Sequence, residues 1–314
     1  MNTDDRGSAA WSPVPGLPLL DSFDERHDVV SSQRSVRRTT ARLVAAAAAS
    51  SALLFLAGCS ADTAGQFKRL GLPEAASDRA PAIGDLWIGA WIAAGIVGVF
   101  VWGLLGWVVL KYRTDHNEMP NQNRYNLPME IFYTTAPFVI IGVLFYYTIL
   151  AQNNVQAKVD KPDVTIDVVG QKWAWTFNYK SAENTAVGTD VWEAGTINQP
   201  TDLYLPVNKA VRFNLSSPDV IHSFWIPAFY EKLDVVPGRK NNFYATPTKE
   251  GVFRGKCAEL CGTYHSAMLF NVHIVSQQEY DAYLKTLKDK GQTGVAKGAS
   301  GANAPVPVSK EGSR

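Results

Sequence analysis

Leu86 to Leu110 is a run of 25 residues without a charge, and Ile131 to Leu150 is a second of 20. At about 1.5 Å per residue the first exceeds the roughly 30 Å hydrocarbon core of a bilayer, and the second matches it. A buried helix of a soluble core can also be uncharged, but two such runs separated by 20 residues read as a transmembrane helical hairpin. Trp87, Trp91, Trp102 and Trp107 lie towards the two ends of the first run, where interfacial aromatics sit. The intervening loop carries Lys111, Arg113 and Arg124. The positive-inside rule puts that loop in the cytoplasm. Everything before Leu86 and after Leu150 is then expected outside.

Upstream, Arg34, Arg37, Arg38 and Arg42 precede an apolar stretch from Leu43 to Leu56, which ends in Leu56-Ala57-Gly58-Cys59. A basic region, a short apolar core and small residues before a cleavage point make a secretory signal. The Leu-Ala-Gly-Cys sequence resembles a bacterial lipobox, which implies cleavage before Cys59 and its lipidation. An ordinary signal peptide, or a short membrane helix with an incidental cysteine, is the plainer alternative. Residues 1–33, with Pro13, Pro15 and Pro18, show no sustained period and read as disordered or as a misassigned start. Lipobox and loop charges agree on topology: bacterial plasma membrane, two spans, with the mature N-terminus and the C-terminal domain extracytoplasmic.

From about residue 160 the period changes. Val164–Val169, Leu203–Leu205, Val211–Leu215, Asn242–Ala245 and Leu269–Val275 are β-branched or alternating. Pro206-Val-Asn-Lys209, Pro218-Asp219, Pro237-Gly238 and Lys249-Glu-Gly251 punctuate them as turns. Short strands with regular turn signals predict an antiparallel sandwich or barrel. Gln277 to Lys288 has helical spacing, and the tail beyond is rich in Gly, Ala, Ser, Pro and Lys and is expected to be disordered. The expected organisation is residues 1–58 N-terminus plus signal, 59–85 linker, 86–150 hairpin, 151–288 β-domain and 289–314 tail. A net charge of +1 gives no electrostatic footprint for nucleic acid. Three cysteines make no disulfide framework.

Chemistry concentrates in one stretch, Lys256-Cys257-Ala-Glu259-Leu-Cys261-Gly-Thr-Tyr-His265-Ser-Ala-Met268. Two thiols, an imidazole and a thioether are ligands that select copper or zinc over magnesium or calcium. His222 offers a second imidazole upstream. Cysteine pairs outside the cytoplasm usually end as disulfides, but a disulfide needs neither the histidines nor Met268. Structural zinc accepts two cysteines and two histidines and has no use for Met268. A weak axial methionine beside cysteine and histidine marks copper electron-transfer sites. A mononuclear blue-copper site needs one cysteine; two suggest two coppers sharing both sulfurs.

The motif Cys257-Ala-Glu-Leu-Cys261-Gly-Thr-Tyr-His265-Ser-Ala-Met268 resembles the binuclear copper A motif of the cytochrome c oxidase subunit 2 family. So does Asp219-Val-Ile-His222-Ser-Phe-Trp-Ile-Pro, continuing to Lys232-Leu-Asp234-Val-Val-Pro237-Gly238-Arg239. The resemblance covers about residues 80–288. It implies a membrane-anchored α+β chain, a two-helix hairpin followed by a cupredoxin-like antiparallel β-barrel. It implies that Cys257 and Cys261 bridge two copper ions, that His222 and His265 ligate one each, and that Met268 and the Glu259 carbonyl are weak ligands. It places the Glu259 side chain at a magnesium site shared with the catalytic subunit. It makes Trp173, in the aromatic run Trp173-Ala-Trp175-Thr-Phe177-Asn-Tyr179, the point where electrons enter, although core aromatics of a strand would show the same alternation. It sets Glu130, seven residues before Pro137, at the mouth of a proton pathway.

The partners implied are the haem-bearing catalytic oxidase subunit 1, other oxidase subunits, and a donor that is cytochrome c or a c-type cytochrome domain of a partner complex. No Cys-x-x-Cys-His is present, so a fused c-type haem is not expected. Three alternatives fit less well. A quinol oxidase subunit needs no copper ligands. A Sco-type copper-insertion protein has an α/β pattern, with its histidine after the cysteines. A nitrous-oxide reductase copper domain lacks the hairpin.

Overall fold

The computed structural model describes residues 61–112, 122–183 and 186–298. The chain divides into two compact units, residues 1–64 and 65–314. The expected signal, Cys59, Arg113 and residues 299–314 lie outside the described residues.

A short helix, α1 (Ala61–Lys68), precedes the two long ones, α2 (Ala80–Lys111) and α3 (Leu127–Val155). Both expected runs are helical, and each helix is longer than its uncharged run. Pro81 fits the first turn of α2, where its missing N–H costs nothing. The Asn126 side chain caps α3 by accepting from the Met129 amide at 3.3 Å. Along both helices large apolar side chains stand open, as with Val99 at 77% and Phe138 at 73% exposure. An apolar face of that extent belongs in lipid or against a partner.

Ten strands follow, in two five-stranded sheets ordered β3-β2-β1-β5-β8 and β4-β10-β9-β6-β7. The first holds β1 (Val164–Gln171), β2 (Ala174–Tyr179), β3 (Val191–Ala194), β5 (Val211–Ser216) and β8 (Asn241–Ala245). The second holds β4 (Thr201–Pro206), β6 (His222–Ile226), β7 (Glu231–Val235), β9 (Gly251–Cys257) and β10 (Leu269–Val275). In β5 and β10 buried and half-buried residues alternate strictly, as the period of 2 requires. Most pairings are antiparallel, as expected, but β1 pairs with β5, and β4 with β10, in parallel. Periodicity fixes which face of a strand is buried and says nothing about its neighbour.

The inward faces meet in an aromatic core. Phe224 and Phe270 stack with centroids 4.9 Å apart, and the buried Trp175 ring sits edge-on to both, at 5.4 and 5.5 Å. Gly255 is required here, because a Cβ on it would lie 2.0 Å from the Phe270 ring. Helix α4 (Gln277–Asp289) matches its expected span. It starts with a capping box formed by Ser276 and Glu279 and buries Tyr280, Leu284 and Leu287.

Two expected boundaries move. The linker ending at 85 gives way to α2 at Ala80, and residues 73–79 are built into the β-domain. Ala76 donates to the Ala228 carbonyl at 2.8 Å and accepts from the Thr248 amide at 2.9 Å, while the Asp78 carboxylate accepts from the Thr246 amide at 2.8 Å. At the other end the packed chain continues past 288. Asn178 exchanges two hydrogen bonds with the backbone of Ala296, at 3.0 and 2.7 Å. These straps bind by backbone and carry small polar residues, so no hydrophobic period announces them. Arg79 joins the straps to the hairpin. It donates to the Asn154 and Ala157 carbonyls at 2.6 and 3.4 Å, closing the C-terminal end of α3.

Candidate metal centre

The ligand-bearing residues come from two places at one end of the sandwich. His222 opens β6, paired to Val235 of β7. Cys257 closes β9, and the loop after it folds through Cys261 and a single 3-10 turn (His265–Ala267) into β10. The Cys257 amide donates to the Met268 carbonyl at 3.0 Å, which pins both ends of the loop together.

This brings the expected donor atoms side by side. Cys257 Sγ and Cys261 Sγ are 3.9 Å apart, far beyond the roughly 2.05 Å of a disulfide. His222 Nδ1 lies 3.9 Å from Cys257 Sγ and His265 Nδ1 3.6 Å from Cys261 Sγ. Met268 Sδ stands 3.8 Å from Cys261 Sγ, and the Glu259 carbonyl 3.2 Å from Cys257 Sγ. A first-row metal about 2.3 Å from sulfur and about 2.0 Å from nitrogen, at tetrahedral angles, separates S from N by about 3.5 Å and S from S by about 3.8 Å. The observed spacings fit metal held between these atoms. One donor atom each from His222, Cys257 and Cys261 lies within 4.8 Å of the others, and all three residues are buried.

Electrostatics agree with a cation. Burial, then the neighbouring Cys257, push the Cys261 thiol up to about 12, so a positive ion is what makes thiolates here. Burial lowers the His222 pKa against the pull of Asp219, which keeps the imidazole neutral. Its Nε2 lies 2.9 Å from Asp219 Oδ1. Nε2–H donates there, which leaves the Nδ1 lone pair towards the sulfurs. Burial by itself raises Asp219, but bonds from His222 and from the Lys172 and Val220 amides outweigh it and hold the carboxyl below its ordinary range.

Asp219, three residues before His222, carries no mark in the donor pattern that would announce a role. Its Oδ2 accepts from the Lys172 amide at 2.7 Å, so one carboxylate orients His222 and anchors the β1–β2 turn that carries Trp173. The half-buried Trp173 ring packs edge-on to Tyr264 of the ligand loop at 5.0 Å. It also covers Gly262 (φ +123°), where a Cβ would meet the indole at 3.2 Å. Trp175, Phe177 and Tyr179 are core residues, so only Trp173 of the aromatic run reaches the surface beside the ligands. The Glu259 side chain is exposed. Glu130 lies far off in sequence at the first turn of α3, where Oε1 accepts from the Asn126 amide at 3.1 Å.

Residues 164–275 match the family model described as cytochrome C oxidase subunit II, periplasmic domain. The chain is 43% identical over 297 residues to a protein of Streptomyces avermitilis described as probable cytochrome c oxidase subunit 2, covering 84% of this chain and 92% of that one. It belongs to the cytochrome c oxidase subunit 2 family. Cytochrome c oxidase subunit 2 of Mycobacterium tuberculosis is 34% identical over 283 residues, with 73% of this chain and 77% of that one covered. A solved structure, the periplasmic domain of subunit II of cytochrome oxidase from Bradyrhizobium japonicum, has 31% identity and a TM-score of 0.37, covering 42% of this chain and 99% of that one. As a subunit 2 chain, it has the family's two apolar helices ahead of its β-domain, and its donor set is one that holds copper.

Proposed function

We propose that this chain is the electron-transfer subunit of a haem-copper terminal oxidase. It takes electrons from cytochrome c, or from a c-type domain of a partner complex, and passes them to haem in the catalytic subunit, where oxygen is reduced to water and protons are pumped. The observation that carries this reading is the donor set: two buried thiols 3.9 Å apart, each with its own imidazole nitrogen within 3.9 Å. A single metal leaves one thiol–imidazole pair without purpose; two copper ions use both. Copper bound there supplies one-electron redox chemistry.

The residues divide the work. Cys257 and Cys261 would hold both copper ions, His222 and His265 would hold one each, and Met268 and the Glu259 carbonyl would be weak further ligands. Asp219 fixes the face that His222 presents. Trp173 receives electrons, since its ring lies against the ligand loop while part of it meets solvent. The exposed Glu259 carboxylate is available to a magnesium ion shared with the catalytic subunit. Glu130, at the loop end of α3, is the proton-collecting group at the cytoplasmic boundary. The hairpin crosses the bacterial plasma membrane with the β-domain outside, and the mature chain begins at a lipidated Cys59.

Metal analysis and electron paramagnetic resonance of the purified full chain loaded with copper test the core of this. Two coppers per chain and a delocalised binuclear signal are expected. One zinc per chain, or a mononuclear copper signal, would overturn it. Mass spectrometry of the membrane-derived protein reads the N-terminus, and residues 1–58 found in mature protein would refute the processing.

A further inference from the structure

A cavity of 620 Å³ lies where the hairpin meets the β-domain. Its floor is Ile83 in the first turns of α2 and Val155 at the last residue of α3. Both are the β-domain ends of their helices, so the floor sits at a membrane boundary. Its walls carry Lys158, Lys232 and Lys240. Among the described residues neither Lys158 nor Lys240 makes an ion pair; the Lys232 ammonium turns to the opposite face of β7 from Glu231 and Leu233, 5.3 Å over the Trp225 ring.

The one acid in the wall is Glu231. Burial raises its carboxyl to about 7, against the pull of Arg79, so near neutrality it is partly uncharged and the cavity keeps a net positive charge. Its Oε2 is buried without a hydrogen-bond partner. When protonated it is a donor aimed at nothing this chain supplies.

Below, a mostly apolar groove of 550 Å³ runs between the helices, lined by Gly89, Ala90 and Ala93 on one side and Val143 and Leu144 on the other, with Asp85 the one acid in its lining among the described residues. Ala82 and Asn154 at its upper end are the chain neighbours of Ile83 and Val155 in the cavity floor. The groove from Ala82 to Ala93 is about 16 Å long at 1.5 Å per residue, roughly half the hydrocarbon core.

We propose that this junction is a binding site for one anionic phospholipid, with the phosphate between Lys158 and Lys240 and an acyl chain in the groove between the helices. Phosphate oxygens accept from ammonium groups in short charge-assisted bonds. An apolar slot below a cationic pocket suits a molecule that carries a phosphate and an alkyl chain together. A free phosphate would leave the slot unused, and an apolar partner helix would leave both cations unused.

The proposal rests on the reading that α2 and α3 cross a bilayer, and not on copper. The assembled oxidase, purified in mild detergent, is exchanged into defined phosphatidylglycerol or phosphatidylcholine, and the lipid kept on this chain is counted by native mass spectrometry. Wild type should retain phosphatidylglycerol over phosphatidylcholine by about tenfold or more, and a Lys158→Gln/Lys240→Gln variant should lose most of that preference, since each juxtamembrane cation adds to the attraction for an anionic headgroup. Spectroscopic copper content should be unchanged in the variant, which separates loss of the site from loss of the fold. Equal retention of the two lipids, an unaltered preference in the variant, or displacement of phosphatidylglycerol by millimolar inorganic phosphate alone would each overturn the site. Release of the chain from membranes by alkaline carbonate would overturn the span reading and the site together; carbonate resistance with no lipid preference would overturn the site alone.

Discussion

Phe224 and Phe270 of the β-domain stack 4.9 Å apart with 1% exposure each, whereas Phe138 and Phe145 of α3 stand 73% and 64% exposed. The same side chain is used to finish a core in one region and to meet something outside the chain in the other. Within the β-domain the inward aromatic faces are fully buried, and they hold two strand ends rigidly enough to bring six donor groups together. In the hairpin the two helices touch at their β-domain end, where Arg79 staples α2 to the last carbonyls of α3. They leave their faces to lipid and partner subunits. The lesson is a division of labour: the metal centre needs a framework complete in itself, and the anchor needs surfaces left open.

The largest effects are expected at the centre. Cys257→Ser should abolish the binuclear signal altogether, since a hydroxyl is a poor substitute for a bridging thiolate. Metal analysis and paramagnetic resonance on the full chain read this directly, and a surviving delocalised signal would break the assignment. Next comes a matched pair of glycines. Gly255→Ala places a methyl 2.0 Å from the Phe270 ring, while Gly103→Ala in α2 meets nothing within 4 Å. Overpacking of a finished core costs about 1–3 kcal/mol or more, so Gly255→Ala should lower the thermal midpoint of the solubilised chain by many degrees. Gly103→Ala should leave it in place. Equal effects would erase the contrast between the two regions.

Trp173→Ala should slow reduction of the centre by its cytochrome donor by at least about tenfold, with copper content kept, because the ring packs on the ligand loop without supplying a ligand. Tenfold corresponds to roughly 1.4 kcal/mol in the barrier. Parallel loss of copper would make Trp173 a packing residue. Glu130→Gln separates two roles of one side chain. Glutamine keeps an oxygen to accept from the Asn126 amide and so preserves the cap, but it cannot exchange a proton. Oxygen reduction by the assembled oxidase should fall several-fold with copper content and donor affinity unchanged; full turnover would leave Glu130 as a helix cap alone.

Much of this was legible from the chain. Two uncharged runs could only be long helices, and Val211–Leu215 and Leu269–Val275 alternate cleanly because one face is core. The strands that carry or flank the ligands were the hard ones. Strands β7 and β9 are largely half-buried or exposed and carry Lys232, Asp234, Arg254 and Lys256, so their hydrophobic pattern is weak. The ligand motifs identified that region where periodicity could not. The donor residues themselves were visible as a set because thiols, imidazoles and a thioether cluster for few other reasons. Asp219 and the straps at 73–79 and 290–298 were not, because they act through hydrogen bonds to backbone and, for Asp219, to the His222 ring as well, and such bonds depend on tertiary neighbours.

The last expected effect tests the joint between the two regions. Glu231 sits at the end of the hairpin, and burial raises its carboxyl to about 7, from an ordinary value of 4.5, with Arg79 opposing and Asp78 reinforcing. Between those two values the folded chain holds more protons than the unfolded one, so stability falls as pH rises through that window and is level above it. The raised pKa is therefore a cost carried at neutral and alkaline pH, and it is absent below about pH 4.5, where both states are protonated. Glu231→Gln removes the titration and keeps the shape. It should stabilise the solubilised full chain at pH 8 by on the order of 2 kcal/mol and change it little at pH 4.5. Thermal midpoints of the two proteins compared across that range make the measurement. A variant less stable than wild type at pH 8, by a margin that fades towards acid, would mean that Glu231 is ionised and paired with Arg79 in the folded protein, and that the joint is held by charge instead of by burial; a constant difference would mean that the Glu231 pKa is the same folded and unfolded.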